Sequence, residues 1–89
     1  MEKILDWDKP TQEKFERLIE KMPVVLRGMA RQKVGEKAQS IAQASNHSQI
    51  SEKDMVDAFF AETPFGFQGL MKNDLIEMNI DYTKYGYPK

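Results

Sequence analysis

The chain has 89 residues, 13 basic and 14 acidic for a formal charge of −1, with no cysteine and one histidine. A balance this even argues against gripping nucleic acid or an anionic membrane through the overall field. The absent thiols exclude disulfides, zinc ribbons and thiolate-held iron–sulfur clusters, and the lone His47 excludes a histidine metal cage.

No alternating β-branched runs and no Asn-Gly or Asp-Gly turn point to a hairpin, whereas helical spacing recurs, so an all-α domain is expected. Phe15, Leu18, Ile19 and Met22 fall on one face of a first helix over residues 9–21. Asp8 or Thr11 can cap it, and Pro10 suits its first turn. The pair Met22-Pro23 then breaks the pattern, because the residue before proline is pushed out of the helical basin.

Pro23 opens a second helix over residues 23–45, which ends in the polar cluster Ser45-Asn46-His47-Ser48. Leu26, Ala30, Val34, Ala38, Ile41 and Ala42 share one arc, making this long helix the spine. The third helix, residues 51–62, has the clearest start. Ser51 and Asp54 make a capping box, and Ile50 can staple to Met55 across the same turn. Met55, Val56, Phe59 and Phe60 give its buried side, and Thr63-Pro64 stops it.

A fourth helix over 66–78 rests on the spacing of Phe67, Leu70, Met71, Leu75 and Met78. Its signal is weaker, because Gly66, Gly69 and Asn73 each lower helix propensity. The end of the chain carries Tyr82, Tyr85 and Tyr87 without periodicity, and is expected to lie extended over the surface or to be disordered. The organisation expected is a helical core over 1–62 and an extension over 63–89 that packs on it or is partly disordered. The longest apolar runs, Val24–Leu26 and Ala58–Ala61, fall far short of the ~20 residues that cross a bilayer. The start of the chain lacks the basic, then long apolar, pattern of a secretion signal, so a soluble cytoplasmic domain is expected.

Five features of the sequence invite a functional reading. Arg27 and Arg31, one turn apart, project from within the apolar arc of the spine and must find acceptors. They can hold an anion or a partner's carboxylate, or bridge internally to Glu16, Glu20, Asp54 or Asp57. The internal answer is favoured by charge, since residues 26–37 hold four cations against Glu36 and residues 51–62 hold four acids against Lys53. Gly28 and Gly35 line one stripe with Ala42, where a neighbouring backbone, the fourth helix or a partner, can come close. Val25 and Met29, away from the core arc, can seat the fourth helix or form an exposed docking patch. Phe59, Phe60, Phe65 and Phe67 can stack a flat ligand or simply build core. His47, in a polar loop, is expected to be solvated rather than to bind metal.

The stretch from Trp7 to about Ala58 resembles the small C-terminal domain of the B subunit of light-independent (dark-operative) protochlorophyllide reductase. Trp7, Pro23, Leu26, Arg27, Arg31, Ala38, Ile50, Ser51 and Ala58 carry the resemblance, over about 50 of the 89 residues. The most specific piece is Met22-Pro23-Val24-Val25-Leu26-Arg27, set at the right distance from Ile50-Ser51. Gly35 and Lys37 depart from the acid and the aromatic frequent at those positions. The resemblance implies a non-catalytic helper in an oxidoreductase complex of chlorophyll or tetrapyrrole biosynthesis. Such a helper docks to a larger redox subunit or covers its substrate site, and needs no cofactor of its own. Arg27 and Arg31 would then hold an anionic group, with Val25, Met29, Phe65 and Phe67 in apolar contact. The alternative is a small interaction module that binds nucleic acid through the basic face of the spine or homo-oligomerises; nucleic acid is the less favoured, given the acids of the third helix.

Overall fold

The computed structural model describes residues 4–89. Four helices make up the domain: α1 (Lys9–Glu20), α2 (Val24–Ala44), α3 (Glu52–Glu62) and α4 (Gln68–Glu77). Asp8 caps α1, its carboxylate accepting from the Thr11 amide at 3.3 Å and from the Thr11 hydroxyl at 2.8 Å. Phe15, Leu18 and Ile19 turn inward from α1, as their spacing requires. Pro23 stands before α2, and from there the helix runs unbroken for 21 residues.

The spine buries a narrower stripe than its sequence suggests. Val34, Ala38 and Ala42 are in the core, Ala30 and Ile41 are partly covered, and Leu26 is exposed. In the first turn of α2, then, position within the apolar arc does not secure burial. α2 ends where Asn46 adopts a left-handed φ of 58°, and the His47 amide bonds back to the Ala42 carbonyl at 2.9 Å. α2 packs chiefly on α3.

The start of α3 is built as expected. The Asp54 carboxylate accepts from the Ser51 amide at 2.9 Å, while the Ser51 hydroxyl oxygen accepts from the Asp54 amide at 3.3 Å. Ile50 and Met55 are both fully buried. One element is absent from the sequence reading. Residues Asp6–Trp7 (β1) and Gln49–Ile50 (β2) pair in parallel, Asp6 opposite Gln49 and Trp7 opposite Ile50. This short ladder ties the lead-in of α1 to the α2–α3 connection and seats Trp7 on Phe15, ring centroids 4.6 Å apart.

After Pro64 the chain makes one 3-10 turn, Phe65–Phe67, before α4. Met71 and Leu75 face the core, but Leu70 and Phe67, predicted on the same face, point outward. Met71 and Leu75 define an inner line that leaves Leu70, ~100° from Met71 around the helix, on the flank, while Phe67 stands in the 3-10 turn before α4 begins.

The C-terminal segment is neither extended nor disordered. Asn79 takes a left-handed φ of 59°, the Ile80 amide bonds to the Leu75 carbonyl, and Ile80 and Tyr82 enter the core. Residues Tyr82–Tyr85 form a 3-10 turn capped by Asp81. The Tyr85 hydroxyl donates to Glu52 at 2.5 Å and that of Tyr87 to Asp57 at 2.6 Å. The Tyr87 ring lies flat on Phe60, 3.8 Å between centroids and 5° from parallel. Each tyrosine is fixed by a tertiary partner on α3 or in the core, which is why no local period announces the segment.

Candidate docking surface

The two arginines of α2 turn back onto α1. Arg27 donates from Nε to the Met22 carbonyl at 2.9 Å and from Nη2 to the Glu20 carbonyl at 2.7 Å. It thereby satisfies carbonyls that the end of α1 leaves without helical partners, and sets a cation at the negative end of that helix. Arg31 reaches the Glu16 carboxylate at 2.7 Å, both side chains about half exposed. Of the four acids named as internal partners, then, Arg31 takes Glu16, and Arg27 takes the backbone oxygen of Glu20 instead of its carboxylate.

Asp54 and Asp57 are engaged elsewhere. Asp54, 1% exposed, lies 2.8 Å from His47 Nδ1 as well as accepting from Ser51. His47 is therefore half-buried against a carboxylate and not free in solvent. Asp57 accepts from Lys53 at 2.7 Å and from Tyr87. Glu52 gathers Lys14 at 2.7 Å, Lys84 at 3.5 Å and Tyr85. Burial acts to raise the Glu52 carboxyl, but the hydrogen bonds from Lys14 and Tyr85, together with the charges of Lys14 and Lys84, outweigh it and hold the group below the usual range. Glu52 is thus answered by α1 and the C-terminal segment, Asp54 by the α2–α3 connection and Asp57 by its own helix and Tyr87, none of them by a cation of α2.

At the same end of α2, mostly on the side turned away from the arginines, the surface is apolar. Val25 is 88% exposed, Val24 73% and Met29 54%. α4 does not seat on Val25 and Met29, so the exposed-patch reading is the one the fold leaves. The glycine stripe is not covered either, since a Cβ at Gly28 or Gly35 would meet nothing within 4 Å. No chain segment makes the close approach those glycines allow. The aromatic run divides: Phe59 is core, Phe60 lies under Tyr87, and Phe65 and Phe67 stand in solvent at 91% and 60% exposure.

The structure also holds a recess for which the sequence carries little local signal. An open groove of about 610 Å³ runs beside β1, its lining including Trp7, Lys9, Gln12, Gly35, Gln39 and Gln49. Gln39 accepts from the Leu5 amide at 3.0 Å and so holds one wall in place. The groove assembles from four separate parts of the chain, and only Gly35, a small residue inside a helix, hinted at open space there.

Among the described residues no helix is long and apolar enough to cross a membrane. No curated protein and no solved structure matches the chain. The family model described as "Protein of unknown function (DUF2621)" matches residues 2–87, across the helical core and the C-terminal segment alike, and the chain belongs to that family.

Proposed function

We propose that the domain is a docking module that engages a larger protein through the start of α2. The observation that carries this reading is the exposure of Val24, Val25 and Met29 on a helix whose base is rigidly held. Arg27 and Arg31 fasten that end of α2 to α1, so the apolar side chains are presented from a fixed platform and need no ordering on contact. Neither guanidinium is spent fully, since each offers five N–H donors. The partner surface is accordingly an apolar recess, with acidic groups only where it wraps round α2 to the arginine side. The resemblance carried by Met22–Arg27 and Ile50-Ser51 points to a redox or tetrapyrrole-handling subunit as that partner.

Site-specific photo-crosslinking tests this. A crosslinking side chain at Val25, in the cells from which the protein comes, is expected to capture one larger protein that the same group at Lys9, on α1, does not. Identical adducts from both positions would refute the reading. The tetrapyrrole part is tested separately, by saturable quenching of Trp7 fluorescence with a porphyrin carboxylate. No quenching at high micromolar concentration would remove it while leaving the docking surface standing.

A further inference from the structure

α4 carries apolar side chains outside as well as inside. Met71 and Leu75 fill the core, yet Leu70 and Ile76 stand 66% and 57% exposed on the outer side, continued by Phe67 and Phe65 in the preceding turn. A surface helix ordinarily presents polar residues to water; α4 presents Asn73 and Glu77, but Leu70 and Ile76 flank Asn73 about 60° to either side and are left uncovered. We propose that this outer face, Phe67–Leu70–Asn73–Ile76, pairs antiparallel with the same face of a second copy across a two-fold axis near Asn73.

Charge selects the occupant. A two-fold contact brings each residue near the axis against its own equivalent, so a charged centre repels itself. The exposed side of α2 at Val25 and Met29, with Lys33 one turn beyond Met29, fails that condition. The α4 face meets it. Lys72 is turned over the Phe60 and Tyr82 rings, at 6.0 and 5.8 Å from their centroids. Asp74 is half-buried at the flank, and Glu77 sits at the far end bonded to Lys21 at 2.5 Å. Antiparallel pairing sends the two Glu77 side chains to opposite ends. It sets Leu70 against the copy's Ile76, and Asn73, whose amide both donates and accepts, against itself. Gly66 and Gly69 have open space where a Cβ would stand, leaving room for the copy's backbone.

Area agrees. With exposures of 91, 60, 66 and 57%, Phe65, Phe67, Leu70 and Ile76 offer roughly 500 Å² per copy, taking ~150–250 Å² for a large apolar side chain. Two copies would bury about 1,000 Å², the threshold for a specific interface, so the dimer is a weak one.

Because the chain has no cysteine, one introduced thiol reports cleanly. Asn73→Cys lies at the proposed axis, within disulfide reach of its equivalent. Under mild oxidation it is expected to yield a covalent dimer at least tenfold faster than Gln32→Cys, which is exposed on α2. In sedimentation equilibrium the unmodified chain is expected to rise from 10.3 kDa toward twice that mass between micromolar and millimolar concentration. Leu70→Lys, at an exposed site and checked for helix content, is expected to stay at the single-chain mass, and Val25→Glu to dimerise normally. A chain that stays single at millimolar concentration, crosslinking at Asn73 no faster than at Gln32, or dissociation by Val25→Glu would each overturn the proposal.

Discussion

Deletion of residues 80–89 tests whether the C-terminal segment belongs to the core. Ile80 is 2% exposed and Tyr82 4%. Burying each contributes about 1.5–3 kcal/mol, so their removal withdraws about 3–6 kcal/mol. The parallel stack of Tyr87 on Phe60 adds about 0.5–1.5 kcal/mol. The two phenol hydrogen bonds add little more, because Glu52 and Asp57 keep Lys14 and Lys53 as partners. A domain of this length has about 4–13 kcal/mol in all. The truncated chain is therefore expected to lose half or more of its stability. Urea titration followed by Trp7 fluorescence reads this directly, since that single indole stacks on buried Phe15. A loss below about 1 kcal/mol, in the range of ordinary surface changes, would refute the reasoning.

Other outcomes follow from single positions. Gly35→Ala, inside α2 with open space at its Cβ, is expected to raise stability by about 0.5–1 kcal/mol in thermal melts, and a loss would reveal a contact the fold does not show. Asp54→Ala removes the acceptor of Ser51 and His47 together and is expected to cost about 1–3 kcal/mol in urea titration. Burial and the hydrogen bond to Asp57 push the Tyr87 phenol up to about 12 from an ordinary 10.0. Because the raised value favours the neutral phenol in the fold, its contribution is whole below pH 10 and is lost as pH rises through 12. The Tyr85 phenol is pushed up as well, by burial and its hydrogen bond to Glu52, so tyrosinate absorbance should show two delayed ionisations, of which Tyr87→Phe removes one.

What the sequence made legible is what local chemistry decides. The cap of α3 was readable because Ser51, Asp54, Ile50 and Met55 act within one turn, and the inner face of α1 because Phe15, Leu18 and Ile19 keep helical spacing. The β1–β2 pairing was not, since two-residue strands have no period to read and their partners lie over forty positions apart. The three tyrosines were unreadable for the same reason, being held by Glu52, Asp57 and Phe60 across the fold. In the candidate surface, the Arg31–Glu16 bridge was one of the pairings the charges allowed. Balanced charge between α2 and α3 nevertheless misled, because sign says nothing about distance. Lys14 and Lys84 reach Glu52 where the cations of α2 do not. Exposure of Val25 and Met29 was an open alternative that only the placement of α4 decided.

The docking account is tested most directly by a double substitution, Val25→Asp with Met29→Asp, compared with the unmodified chain for both melting and capture of the crosslinked partner. Both side chains already face solvent, so the account predicts stability changed by no more than about 0.5 kcal/mol together with loss of the partner. Retention of the partner by a stably folded double variant would contradict it.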